Sequence, residues 1–297
     1  MLFRSIIYYD HYDITPYLRE GKNVIGVCLG NGFFNDPGGH IWGFDKALWR
    51  GPLRFALWAE IENAGPTETL VIESDESFLT ASSPILSDDY RCGEVYDARL
   101  EIPGWDSDPE LDVSGWTNAR RAESPRGEKR FCEAEPIVVS EVLKPVIMTR
   151  NERGWVYDFG VNAAGVCRLK INGKEGQEIT LDHGEVLRDG MLDRKNIGFP
   201  QNSPEENDSI QRDVYICKGA DAAADGTDAG IGEIYVPRFV YHGFRYVEVL
   251  GLEEHQATED LLEYLVMHSD LKEVGNFSCS DPVANELQRL TRGSDRA

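Results

Sequence analysis

The chain predicts an all-β fold: two β-sandwich (jelly-roll-like) domains in tandem, followed by a short C-terminal helix. Three observations carry this. Period-two alternation recurs in short runs bounded by Gly, Pro, Asn or Asp, the signature of half-buried strands. Helical periodicity is scarce before residue 280. Two polar stretches without alternation, residues 120–136 and 268–282, divide the chain. They place the domains at 1–133 and 134–275, with a closing segment at 276–297.

The elements follow in order. FRSIIYY and NVIGVCLG are the first strand candidates. LRFALWAEIE puts Leu53, Phe55, Leu57, Ala59 and Ile61 on one face, with Arg54, Glu60 and Glu62 on the other. The charged run at 120–136 reads as a linker, and IVVSEVL opens the second domain. WVYDF, GVCRLKI, EITL, DVYIC, FRYVEVL and LEYLVMH continue it. In GVCRLKI, Cys167, Leu169 and Ile171 oppose Arg168 and Lys170. In FRYVEVL, Phe244, Tyr246, Glu248 and Leu250 share one face, and Arg245, Val247 and Val249 the other, with Gly243 marking a bend or bulge. The one helix start is at Asp281, a capping residue followed by Pro282 at the first helical position. Val283, Leu287 and Leu290 then fall on one face.

Composition narrows the function classes. With 297 residues and 41% hydrophobic content, a sizeable core is within reach. Lys plus Arg is 30 against 52 Asp plus Glu, a net charge of -22. Such a surface repels phosphate backbones and argues against nucleic acid. It suits neutral ligands such as carbohydrates, or cations, or serves solubility alone. No apolar run of about 18 residues is present, so no membrane span is expected. The first residues lack the apolar stretch and cleavage site of a signal peptide, so a cytoplasmic location is expected. The cysteines, Cys28, Cys92, Cys132, Cys167, Cys217 and Cys279, are scattered without a CxxC pair, which argues against zinc. Cys28 and Cys167 read as small core residues.

Four stretches invite chemistry. Residues 30–52, GNGFFNDPGGHIWGFDKALWRGP, form a glycine-rich loop between two strands. It presents Trp42 and Trp49, whose faces suit the C–H face of a pyranose ring, or else packs both under itself. Residues 88–105, DDYRCGEVYDARLEIPGW, gather Asp88, Asp89, Arg91, Glu94, Asp97 and Arg99. Paired carboxylates there suit acid–base work; equally, Asp97 and Arg99 suit a structural pair. DSDPELDVSGW fails as a calcium loop, because Leu111 and Thr117 stand where glycine and glutamate are needed; it reads as a solvated turn. CKGADAAADGTDAGIGEIY reads as a loop between two strands.

The motifs YYDHYDITPYLREGKNVIGVCLGNGFF, GEVYDARLEIPGW, VYDFGVNAAGVCRLKI and PRFVYHGFRYVEVLG occur in this order. Together they resemble the ancillary β-domains of bacterial α-L-rhamnosidases, which are inverting glycoside hydrolases. The resemblance implies two β-sandwiches that precede an (α/α)6 barrel, with the catalytic carboxylates in that barrel. It implies no catalytic residue in this chain, a first domain lacking its earliest strands, and a closing helix that would begin the missing barrel. L-Rhamnose-containing glycosides or polysaccharides and the barrel are the implied partners, and no cofactor is required. In some relatives the first domain binds L-rhamnose beside calcium. The matching region, residues 20–52, offers Asn23, Asn35, Asp36, Trp42, Asp45 and Trp49 as substrate contacts, with calcium bound in the first domain as an option. Glu94, Asp97 and Arg99 are the candidates for an active-site mouth or a domain interface. The alternative is a standalone carbohydrate-binding or interaction module.

Overall fold

Alternation marks strands but does not pair them; pairing is read from backbone register. The computed structural model describes residues 5–37, 43, 46–62, 69–124, 126–198, 209–219 and 232–296. The chain divides into two units, each drawing on more than one stretch. Unit 1 takes Met1–Leu29, Pro52–Ser83 and Ile102–Ala134, and unit 2 takes Gly30–Gly51, Pro84–Glu101 and Glu135–Ala297. Strands dominate both, and the α-helix α1 (Pro282–Arg296) closes the chain, as the all-β reading expects.

Among the described residues, unit 1 holds three strand pairs. β1 (Ser5–Tyr9) runs parallel to β8 (Gly127–Phe131), β2 (Trp58–Ile61) antiparallel to β3 (Leu70–Glu73), and β4 (Leu79–Thr80) antiparallel to β7 (Thr117–Asn118). The alternation of residues 53–61 is real: the five predicted inward positions are half-buried and the intervening ones exposed. No described side chain of unit 1 is fully buried. Two expectations need correction. Among the described residues NVIGVCLG forms no strand and joins no ladder, and Cys28 is only half-buried. The linker at 120–136 contains β8, whose polar residues pair by backbone alone and so leave no hydrophobic period to detect.

Unit 2 is built on a 10-stranded sheet. Its strands are β5 (Ile85–Asp89), β6 (Gly93–Asp97), β9 (Ile137–Leu143), β10 (Ile147–Arg150), β11 (Trp155–Ile171), β12 (Glu178–Gly184), β15 (Arg212–Ile216), β16 (Glu233–Tyr235), β17 (His242–Leu250) and β18 (Leu262–Ser269). The order is β5-β6-β15-β12-β17-β11-β18-β9, with β10 and β16 also on β11. A separate hairpin joins β13 (Val186–Arg188) to β14 (Met191–Asp193). WVYDF and GVCRLKI, read as two strands, are the ends of the single 17-residue β11. Its register on β17 slips between Asp158 and Ala163, so residues 159–162 stand opposite residue 245. Beyond this bulge β17 stays paired as far as Gly165, while β18 takes over from β10 and β16 pairs the last residues of the strand.

The face assignment of β17 also needs correction. Phe244, Val247 and Val249 all enter the core, so the parity expected from alternation breaks within the strand. Phe244 stacks on Tyr264 with centroids 3.9 Å apart, and Phe159 meets Tyr264 edge-on at 5.3 Å. Cys167, Leu169 and Ile171 line the same core, as expected, while Arg168 and Lys170 both reach Glu263. At the chain's end, the Val283 amide donates to Asp281 Oδ1 at 2.8 Å, the expected cap. Val283, Leu287 and Leu290 are exposed.

Candidate functional site

The glycine-rich loop and the acidic hairpin, read separately in the sequence, meet in unit 2. β5 and β6 form that hairpin. Asp89 Oδ1 closes its turn by accepting from the Arg91 and Cys92 amides, each at 2.9 Å. Gly93 follows at φ +122°, and a Cβ there would lie 2.0 Å from the Arg212 carbonyl oxygen. Only glycine lets β6 approach β15 so closely. The loop is pinned from the other side. The Asn31 amide donates to Asp88 Oδ2 at 2.6 Å, and its side-chain nitrogen donates to the Asp88 carbonyl and Oδ1, both at 3.0 Å. Burial pushes the Asp88 carboxyl up, and the Asn31 hydrogen bonds oppose that. Phe33 packs on Tyr90 with centroids 4.6 Å apart.

Between loop, hairpin and β15 lies a cleft of about 340 Å³, lined by Pro37, Asp89, Cys92, Ser209 and Arg212 among others. Beneath it is a buried polar layer. Glu94 accepts from the Tyr235 hydroxyl at 3.2 Å and the Arg238 amide at 3.1 Å, and burial pushes its carboxyl up to about 7. Its own amide donates to Asp213 Oδ1 at 2.9 Å. Asp213 also takes His242 Nε2 at 3.1 Å. Burial is the largest effect on the Asp213 carboxyl and works to raise it, but His242, His183 and the Glu94 amide together outweigh it, so the net shift is downward. His183 is driven down to about 3 by burial and then by His242, so it is neutral. Asp182 gathers Arg212 at 2.6 Å, Arg194 at 2.7 Å and Arg153 at 3.3 Å.

The predicted site residues do not converge on one place; Glu94 belongs to the buried layer just described. Asn23 is in unit 1, exposed, and closes its own turn with Arg19 and Gly21. Asn35 donates to Asn31 Oδ1 at 2.7 Å, Asp36 is buried, and Trp49 is 58% exposed; all three belong to unit 2. Trp42 and Asp45 lie outside the described residues. Asp97 and Arg99 form the structural pair, a fork at 2.9 and 2.7 Å that holds the Asp97 carboxyl below its ordinary value. His183, Asp182, Asp213 and Glu248 were not singled out in the sequence. The available signal was a charged or imidazole group at an inward position of an alternating strand, which only a partner can stabilise.

Chemically, the cleft offers hydrogen-bonding groups rather than an activated nucleophile. Burial pushes the Cys92 thiol up to about 12, so it stays protonated. Arg212 is committed to Asp182, and Asp89 to its turn.

Comparison with solved structures finds this fold in proteins described as α-L-rhamnosidases. The chain superposes on Streptomyces avermitilis α-L-rhamnosidase complexed with L-rhamnose with a TM-score of 0.82, at 28% identity over 99% of this chain and 26% of that one. On the Dictyoglumus thermophilum α-L-rhamnosidase the TM-score is 0.66, at 33% identity over 77% and 24%. A curated α-L-rhamnosidase of Formosa agariphila is 30% identical over 96% of this chain and 29% of its own length. Residues 1–141 match the α-L-rhamnosidase N-terminal domain, and residues 148–268 the bacterial α-L-rhamnosidase concanavalin-like domain. The chain belongs to the bacterial α-L-rhamnosidase family, the one its four motifs resemble. It spans 26–29% of the length of the curated relatives it matches.

Proposed function

We propose that these two domains serve an α-L-rhamnosidase as a non-catalytic front, supporting a catalytic barrel that releases terminal α-L-rhamnose. The observation that carries this reading is the ordered match of an N-terminal domain and a concanavalin-like domain over almost the whole chain. The buried carboxylates agree with it. Inversion needs two carboxyl groups roughly 6.5–9.5 Å apart across an open gap, one to protonate the leaving oxygen and one to activate water. Here Asp97 is held by Arg99, Asp158 by Arg245 and Asp182 by three arginines, while Glu94 is satisfied from within. The 297-residue chain is expected to show no turnover of an aryl α-L-rhamnoside. Robust hydrolysis by the purified chain would overturn the reading.

A second reading, a sugar-binding module, is favoured by the cleft between the glycine-rich loop and the acidic hairpin. Calorimetric titration with L-rhamnose, with and without a calcium chelator, tests it. Saturable heat supports the module, and a flat trace in both conditions removes it.

A further inference from the structure

His183 on β12, Asp213 on β15 and His242 on β17 are all fully shut from solvent. β12 stands between β15 and β17, so neighbouring strands bring the three side chains to one point. His242 Nε2 lies 3.1 Å from both Asp213 oxygens, and His183 Nε2 lies 3.9 Å from Oδ2. His183 Nδ1 is 3.1 Å from the Gln211 carbonyl. A carbonyl only accepts, so the imidazole proton belongs on Nδ1 and Nε2 carries a bare lone pair. That lone pair has no hydrogen-bond partner, and neither does His242 Nδ1. Leaving a buried polar group unmet is costly, and an ordinary core histidine avoids it. Gln211, which fixes the His183 tautomer, is itself held at φ 53°, a strained setting for a non-glycine residue.

We propose that His183, Asp213 and His242 bind one divalent transition-metal ion of the zinc class, which ties the three strands together. Among the described residues, these are the one group of three His, Cys, Asp or Glu side chains whose ligand atoms lie within 4.8 Å of one another. Bonds of about 2.0–2.2 Å at tetrahedral angles put ligand atoms about 3.3–3.6 Å apart, so atoms that lie within 4.8 Å of one another need to close by up to about 1 Å. Two imidazoles and one carboxylate suit zinc, cobalt or nickel, and not calcium, which takes oxygen alone. Sparse cysteine pairs do not bear on this donor set, because it contains no thiolate. On binding, His242 Nε2 gives up its proton to become a ligand and Nδ1 carries the imidazole N–H, while His183 already has the required tautomer. The Gln211 carbonyl is the outer partner that orients the His183 ring. Because the site is closed to water, the ion enters as the sheet forms rather than afterwards.

The test is to refold the full chain with Zn²⁺ or Co²⁺, remove free metal, and measure metal per chain. One equivalent is expected, with the visible absorption of a low-coordinate Co²⁺ and slow loss to chelator unless the chain is unfolded. His183→Gln and Asp213→Asn, checked for folding by circular dichroism, are expected to lose the bound equivalent. Wild-type chain that refolds with no stoichiometric metal overturns the proposal without any variant. So does a folded variant that retains the full equivalent, because the metal then sits elsewhere.

Discussion

Gly93 and Asp158 show how single residues bear on the arrangement of unit 2. At Gly93 the backbone is left-handed, and a methyl group would collide with the Arg212 carbonyl, a backbone atom that cannot swing aside. Gly93→Ala is expected to cost at least about 3 kcal/mol, combining strain and steric conflict. Chemical denaturation of the purified variant measures this, and a loss under about 1 kcal/mol would show that β6 can withdraw from β15. Asp158 accepts both arms of Arg245 at 2.8 and 2.9 Å and caps the Gly160 amide at 2.7 Å, across the bulge of β11. The Arg245 hydrogen bonds hold its carboxyl below the ordinary value, against a smaller opposing effect of burial. A carboxyl depressed in the folded state adds stability above its unfolded value of 3.8 and loses it as pH falls through the folded value. Asp158→Asn is therefore expected to lower the melting temperature at neutral pH. The gap should close toward acid. The effect is a fraction of the roughly 3–5 kcal/mol of a fully buried pair, since Arg245 is 38% exposed. Parallel melting curves at every pH would refute the assignment.

At the scale of elements, β11 and β17 form the spine of unit 2. The bulge lets one strand serve partners on both sides of a bend, which a regular ladder could not do. Phe244 packs where that bend lies, fully buried and stacked on Tyr264. Phe244→Ala is expected to cost about 3–5 kcal/mol, read from the urea midpoint at unchanged slope. A loss below about 1 kcal/mol would mean that the ring is not a core contact. The hairpin of β13 and β14 was open to discovery in the sequence. Asp189 and Gly190, at φ 53° and 77°, are the Asp-Gly pair that a tight two-residue turn requires.

Across the whole molecule, buried apolar side chains are unevenly distributed. Tyr157, Leu169, Leu181, Val247, Leu262 and the rest of the core belong to unit 2, while the described part of unit 1 consists of strand pairs without a fully buried side chain. An isolated pair of strands is marginal in water. Hydrogen exchange is expected to show this directly. Amides of β1, β2 and β3 should exchange well before those of β11, β12 and β17, in a separate and earlier phase. Uniform protection across both units would contradict the burial pattern. The net charge of -22 adds self-repulsion that salt should relieve.

The sequence by itself determined the all-β class, the capped closing helix and the family, because alternation, capping and motif order are local or linear properties. It also announced the loop at 30–52 and the acidic segment at 88–105, though not that this segment folds as a hairpin. Only the tertiary structure decided that these two segments meet through Asn31 and Asp88, that Arg245 belongs to Asp158, and that β11 is one strand bent by a bulge. It alone joined His183, Asp213 and His242, which lie on three strands and share no motif. Period and spacing record which face a residue occupies, whereas the partner of a buried charge is set by which strands lie side by side.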